Sequence, residues 1–396
     1  MPDATPAKLV APHGGSTLRP LLAAVEERAD ALARARALKV IPLGSREVSD
    51  LLMLGMGAYT PLNGFMGHAD WKGCARDMQL ADGLFWPVPI TLSQGKGVAD
   101  GLAIGEDIGL ADGETGELLG SMTVLEKYHA DKMFECETVF RTADPKHPGV
   151  AKVLAEGDIN IAGPVRVFSE GEYPNRYPSL YMRPEQSRAE FSRRGWRRVA
   201  AFQTRNPMHR SHEHLAKIAA EVTDGVFIHQ VLGRLKTGDL PAEVRARAIQ
   251  VMIDGYFKPG IAIQAGYPIE MRFAGPREAL LHALIRQNFG CSHLVVGRDH
   301  AGVGSYYASL DAQAIFDEIP ADALLCRPLK IDVTFYCYRC AGMATGKTCP
   351  HDSADHLSVS GTELRRRLEG GEDIPAEFSR PEVVEILREY YQSRAA

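Results

Sequence analysis

From about Val165 onward the chain alternates short apolar runs with longer segments in which apolar residues recur every three or four positions. Arg198-Val199-Ala200-Ala201-Phe202 reads as a buried strand. The segment 209–222 reads as a helix with Leu215, Ile218 and Ala219 on its apolar face. A strand over 226–231, a helix over 243–257, short strands at 261–263 and 271–273, a helix over 277–289 and a strand over 293–296 follow. Strands separated by helices cannot be joined as hairpins. Each return crosses the sheet, so the pattern predicts a parallel sheet with right-handed crossovers.

Before this region, residues 1–165 are rich in Gly, Pro and short apolar runs. Turn signals such as Ala111-Asp112-Gly113 separate them, and the pattern predicts a mostly β domain after an opening helix near 21–38. A smaller, helix-ended tail follows about Ala323. The expected organisation is 1–165, 166–325 and 326–396, an α/β chain with the parallel sheet in the middle.

Two motifs sit just after strand-like runs. Gln203-Thr204-Arg205-Asn206-Pro207-Met208-His209-Arg210-Ser211-His212 crowds amide donors, guanidinium groups and imidazoles into ten residues. Gly297-Arg298-Asp299-His300-Ala301-Gly302 follows Leu294-Val295-Val296. Cations and donors at the carboxyl ends of parallel strands, beside a helix N-terminus, suit a polyanion such as a nucleotide phosphate. Pro207 is expected to end the strand and open the helix, with His209 and His212 on one face of its first turn. Arg205 can grip a tetrahedral dianion bidentately. Gly297 is expected to let the backbone approach the ligand. A third, weaker motif is Ser358-Val359-Ser360-Gly361-Thr362-Glu363-Leu364-Arg365, with Ser360 or Thr362 as the helix cap and Arg365 as a phosphate contact.

Of the seven cysteines, Cys74, Cys136, Cys291 and Cys326 are scattered and read as buried free thiols. Cys337-x2-Cys340-x8-Cys349, followed by His351 and His356, has the spacing of a structural zinc site. Its fourth ligand is expected to be His356, which has more slack than His351. The net charge of −5 argues against a general nucleic-acid binder. The first fifteen residues lack a signal-peptide pattern, and the apolar stretch near 51–59 is too short and Gly-rich to span a bilayer. The expected location is therefore cytoplasmic, without membrane contact.

The spacing in the first motif resembles the His-x-x-His signature of nucleotidyltransferases. The two central motifs together, with Pro12-His13-Gly14-Gly15 and the tail from Ser360 through Arg388, resemble the ATP sulfurylase (sulfate adenylyltransferase) family over the whole chain. The likeness is to bacterial members that lack an APS kinase-like extension and carry a structural zinc. It implies an N-terminal PUA-like β domain, a Rossmann-like nucleotidyltransferase domain and a small C-terminal domain with the zinc site. It also implies the reaction of ATP with sulfate to give adenosine 5′-phosphosulfate (APS) and diphosphate, by attack at the α-phosphorus.

The resemblance further implies residue roles. Gln203, Arg205 and the Ala301 backbone N–H would hold sulfate. Thr204, Arg205, Asn206, His209, His212 and Arg298 would be catalytic. Arg205, Asn206, Pro207, Met208, His209, His212, Gly297, Arg298, Asp299, His300 and Val333 would contact ATP. Mg²⁺ would accompany ATP and diphosphate, and the chain would form a homodimer. An adenylyltransferase with another acceptor, or a zinc-stabilised module without catalysis, are the competing readings. The first should lack Arg205-Asn206, and the second should show decay of a motif.

Overall fold

Val199–Thr204 is a strand whose side chains alternate between two separate cores. Val199 and Ala201 pack into one and Ala200 and Phe202 into the other. Such double burial is why the run is apolar throughout rather than alternating. The computed structural model describes residues 8–234, 239–357, 359 and 361–395. This strand is the middle member of a five-stranded sheet. Across it run Ala262–Tyr267, Gly225–Val231, Val199–Thr204, His293–Val296 and Arg327–Lys330, and every pairing is parallel. In chain order the strands read 3-2-1-4-5. The order reverses between Val199–Thr204 and His293–Val296, and both central motifs leave the sheet there, at the strands' carboxyl ends.

The helices Arg210–Val222, Ala242–Tyr256, Pro276–Phe289 and Asp311–Glu318 cover the sheet. All fourteen residues of Pro276–Phe289 are buried, including Arg277, Glu278, His282, Arg286, Gln287 and Asn288. One core joins this helix to the N-terminal half of the chain. The other joins Arg210–Val222 and Ala242–Tyr256 to the C-terminal helices through Leu364, Leu368, Val383 and Leu387.

The N-terminal half holds a seven-stranded mixed sheet built around Ile159–Val167. It is less purely β than expected: helices Ser45–Gly55, His68–Asp77, Lys132–Val139 and Pro148–Ala155 belong to it. A buried ion pair fastens it to the loop that follows Ala262–Tyr267 of the parallel sheet. Arg272 Nη2 donates to Asp50 Oδ1 and Oδ2 at 2.7 and 2.6 Å.

Other boundaries shift too. The opening helix is Val25–Ala35. Residues 271–273 form no strand: pairing ends at Tyr267, and the segment after it runs on without a sheet partner. The third strand instead extends over Ala262–Tyr267. Pro207 lies in a loop, and the helix begins at Arg210 with His209 as its cap. Cys74, Cys136, Cys291 and Cys326 are free and buried, as read from the sequence. Among the described residues no helix is long and apolar enough to cross a membrane.

Candidate active site

The strand Val199–Thr204 ends in a tight turn. Thr204 Oγ1 accepts from the Asn206 N–H at 3.0 Å and donates to the Asn206 carbonyl at 2.7 Å, which swings Arg205 outward. A cleft of about 420 Å³ opens there, lined by Gln203, Thr204, Arg205, Asn206, His212, Gly297, Arg298, Asp299, His300, Ala301 and Val333. The two motifs, distant in sequence, thus share one cleft.

Two further cavities adjoin it, of about 510 and 270 Å³. Arg205 lines all three. Its Nη1 donates to Asp239 Oδ2 at 2.9 Å, and its guanidinium lies 5.4 Å from the Phe273 ring centroid. Its backbone carbonyl accepts from Arg245 Nη1 at 2.8 Å. Phe273 adopts φ +61°, a left-handed conformation that bulky side chains rarely hold. The surrounding packing therefore maintains this brace.

At the helix start the His209 N–H donates to His212 Nδ1 at 3.1 Å, a cap made by the histidine pair itself. The tail then closes over the pair. Ser379 Oγ lies 3.0 Å from His209 Nδ1, the Phe378 ring is 4.7 Å from the His209 ring, and the Arg210 N–H donates to the Phe378 carbonyl at 3.0 Å. Arg365 lines the larger adjoining cavity with His209, His212 and Arg205. Ser360 and the Thr362 side chain, the expected caps, lie outside the described residues.

Burial lowers His209 to about 3, with the His212 charge adding to it, and burial lowers His212 to about 4. Both rings are neutral at pH 7, so what they can offer an anion is hydrogen-bond donation and not charge.

The same shifts carry a sign for stability. A histidine held below its ordinary 6.5 costs nothing above pH 6.5. As pH falls, the unfolded chain takes up protons that the folded chain refuses, so stability is lost from pH 6.5 downward. For His209 the loss reaches about 2 kcal/mol by pH 5. His13, His147, His229, His282 and His300 are shifted in the same direction by burial. The melting temperature is expected to drop progressively between pH 6.5 and 5. A flat profile over that range in calorimetry would contradict these environments.

The second motif is a turn with two non-glycine residues of positive φ, Asp299 (+52°) and Ala301 (+55°). Arg298 Nε donates to Asp299 Oδ2 at 2.7 Å on the open side of the cleft. The Ala301 carbonyl accepts from the Gly275 N–H at 3.1 Å. Glycine is required at 275, where φ is +51° and a Cβ would come within 2.7 Å of the Tyr307 ring. At Gly297 a Cβ would meet no protein atom nearer than Leu215 Cδ1 at 3.9 Å, so the space beside it opens to the cleft. Asp299 is the one carboxylate among the described residues lining this cleft.

Sequence reading missed the groups behind the cleft. Tyr267 donates to Gln203 Oε1 at 2.8 Å, Gln203 Nε2 lies 3.2 Å from His282 Nε2, and His282 Nδ1 lies 3.0 Å from His300 Nε2. The signal was the i, i+4, i+8 spacing of Glu278, His282 and Arg286, with apolar residues between them.

In the tail, Thr334–Cys337, Gly342–Thr345 and His356–Leu357 form a small antiparallel sheet. One ligand atom from each of Cys337, Cys340, Cys349 and His351 lies within 4.8 Å of all the others, a group able to hold a metal ion. Tetrahedral zinc separates sulfurs by about 3.8 Å and sulfur from nitrogen by about 3.6 Å. Cys340 and Cys349 sulfurs are 3.7 Å apart, and His351 Nδ1 is 3.4, 3.2 and 3.7 Å from the sulfurs of Cys337, Cys340 and Cys349. His356 was the expected fourth ligand, and the geometry corrects this. Its Nε2 lies 3.5 Å from the Cys349 sulfur and its ring stacks 3.7 Å from that of Phe335, but it is not among the four residues whose ligand atoms all lie within 4.8 Å of one another. His351, expected to have less slack than His356, follows Cys349 by two residues and its Nδ1 lies within the group.

The profile of the ATP-sulfurylase family matches residues 178–390, and that of a PUA-like domain matches residues 10–170. The chain is 60% identical to the sulfate adenylyltransferase of Chlorobium chlorochromatii over 386 residues, covering 97% of this chain and 96% of the relative. It is 61% identical to that of Chlorobaculum tepidum over 384 residues, covering 97% and 95%. It is 54% identical to that of Thiobacillus denitrificans over 389 residues, covering 98% and 96%. Among solved structures, a hexameric APS kinase from Thiobacillus denitrificans superposes with a TM-score of 0.76 at 28% identity, over 96% of this chain and 69% of that one.

Proposed function

Since the chain belongs to the ATP-sulfurylase family and is an enzyme of sulfate adenylyl transfer, we propose how its residues divide that reaction. A sulfate oxygen attacks the α-phosphorus of ATP. The bond from that phosphorus to the bridging oxygen breaks, and diphosphate leaves with the electron pair. Sulfate is already deprotonated near neutral pH, so no general base is needed. The protein's part is positioning and charge stabilisation.

Arg205 is the residue we assign to both substrates, and its place at the junction of the three cavities carries this reading. Gln203 and the Ala301 N–H complete the sulfate side. Thr204 fixes the turn, and Asn206 and Arg298 meet phosphate oxygens. His209 and His212, neutral donors at a helix start, take the phosphates that leave as diphosphate. Pro207, Met208, Gly297, Asp299, His300 and Val333 shape the nucleotide side. Mg²⁺ arrives with ATP, consistent with a cleft holding Asp299 alone as carboxylate.

Attack in line inverts the configuration at phosphorus. ATP made chiral at the α-phosphate is therefore expected to yield inverted product, and retention would mean a covalent adenylyl-enzyme. His212→Ala is expected to lower kcat about tenfold or more with sulfate KM nearly unchanged. A change confined to sulfate KM would move His212 to the other subsite.

Zinc is the metal we assign to the Cys337, Cys340, Cys349 and His351 group, with a structural role, since four protein ligands leave no open position. A domain order of 1–165, 166–325 and 326–396 and a cytoplasmic location rest on the sequence pattern, and a homodimer rests on the resemblance. Light scattering at micromolar concentration is expected to return twice the chain mass, and the single-chain mass would refute the dimer. The same site can run toward ATP when phosphosulfate and diphosphate are supplied.

A further inference from the structure

A line of fully buried polar side chains runs behind the cleft: Tyr267, His282, Glu278 and Arg286 are all sealed from solvent. It joins a residue of the sulfate side, Gln203, to one of the nucleotide side, His300. The contacts have a consistent direction. Tyr267 O–H donates to Gln203 Oε1, which turns the amide N–H₂ toward His282 Nε2. An N–H pointing at Nε2 requires a lone pair there, so the His282 proton sits on Nδ1 and is donated to His300 Nε2, 3.0 Å away. His300 then carries its own proton on Nδ1.

The competing arrangement puts the His282 proton on Nε2, facing Glu278 Oε1 at 3.5 Å. That contact is longer, and the Glu278 carboxylate already accepts the Arg272 N–H at 2.8 Å and the Ala274 N–H at 3.0 Å. Arg286 lies 4.4 Å from the Tyr267 ring centroid, and a positive charge there strengthens the phenol as a donor. His229 stacks on the other side of that ring at 4.2 Å, fixing its plane.

We propose that Tyr267 and His282 are positioning residues that set the hydrogen-bond direction of both substrate subsites. Tyr267 orients the Gln203 amide, so that its second N–H, now 3.4 Å from the thioether of Met271, is available to a sulfate oxygen. His282 fixes the His300 tautomer, so that this neutral ring offers an N–H in the nucleotide cleft. One buried chain thereby makes both ends donors toward anions. The inference rests on the assignment of Gln203 to sulfate and His300 to the nucleotide.

The chain divides at His282, and substitutions can cut either half. Asparagine places an amide near the position of Nδ1 and glutamine near that of Nε2. Tyr267→Phe is expected to raise sulfate KM about five- to tenfold, the worth of one hydrogen bond, with ATP KM within about twofold. His282→Asn is expected to raise sulfate KM and spare ATP KM. His282→Gln is expected to raise ATP KM and spare sulfate KM. Melting temperature reads any loss of fold separately, and the two His282 variants serve as each other's control for packing.

Gln203→Ala separates the two ways to fail. If it leaves sulfate KM unchanged, the assignment of Gln203 to sulfate falls and this proposal falls with it. If Gln203→Ala raises sulfate KM while Tyr267→Phe does not, the assignment stands and the positioning role is overturned. Parallel changes in both KM values for both His282 variants would also overturn it, since a merely structural loss has no side.

Discussion

Arg205→Ala is expected to lower sulfate-dependent turnover by about two to three orders of magnitude while the protein stays folded. The guanidinium lines all three cavities, and on the proposed assignment it contacts both reacting groups. Its removal takes away charge that opposes the build-up of negative charge as sulfate closes on phosphorus. The fold is expected to survive because the side chain is 28% exposed and contributes to neither hydrophobic core. Its partner Asp239 keeps the attraction of the nearby Arg245. Arg205→Lys should recover little, because an ammonium replaces a planar fork with a point charge. Steady-state rates beside a melting curve decide the matter: near-normal turnover in a folded variant would remove Arg205 from the centre of the reaction.

The second large effect belongs to the tail. Cys340→Ser or His351→Ala is expected to abolish stoichiometric zinc, and His356→Ala is expected to retain it. The reason is geometric: three sulfurs and His351 Nδ1 already stand at nearly the spacings of a tetrahedral ion. Structural zinc supplies folding free energy of roughly 10 kcal/mol or more in small domains. The 334–357 sheet is small, and its strands are two to four residues long. Loss of the metal is therefore expected to expose this segment to protease. Metal analysis and limited proteolysis read the result without any assay of activity. Zinc lost from His356→Ala and kept by His351→Ala would reverse the assignment.

The parallel sheet was legible because a strand buried on both faces must be apolar at every position, and Val199–Phe202 and Leu294–Val296 are. The shared cleft was legible because both motifs follow such strands directly. Boundaries were less so. Pro207 fits a helix start by propensity, yet the Thr204–Asn206 turn holds it in a loop and hands the cap to His209. Residues 271–273 look like a strand, but their alternation serves the Arg272–Asp50 ion pair and the Phe273 brace against Arg205. The helix Pro276–Phe289 hid its role most fully: the sequence places a helix there, and its charged residues are all buried. Periodicity reports which residues are apolar; the i, i+4, i+8 spacing of Glu278, His282 and Arg286 marks one stripe of the helix but not whether it faces solvent or core. His351 was misjudged for a related reason, since slack between ligands was weighed and the path of the backbone was unseen.

The central claim is that sulfate is the acceptor of the adenylyl group. The direct measurement is diphosphate release from Mg·ATP by the purified protein, with and without sulfate. Release that appears on adding sulfate, together with phosphosulfate in equal amount, is the predicted result. Release that proceeds equally without sulfate, or that needs a different acceptor, would contradict it.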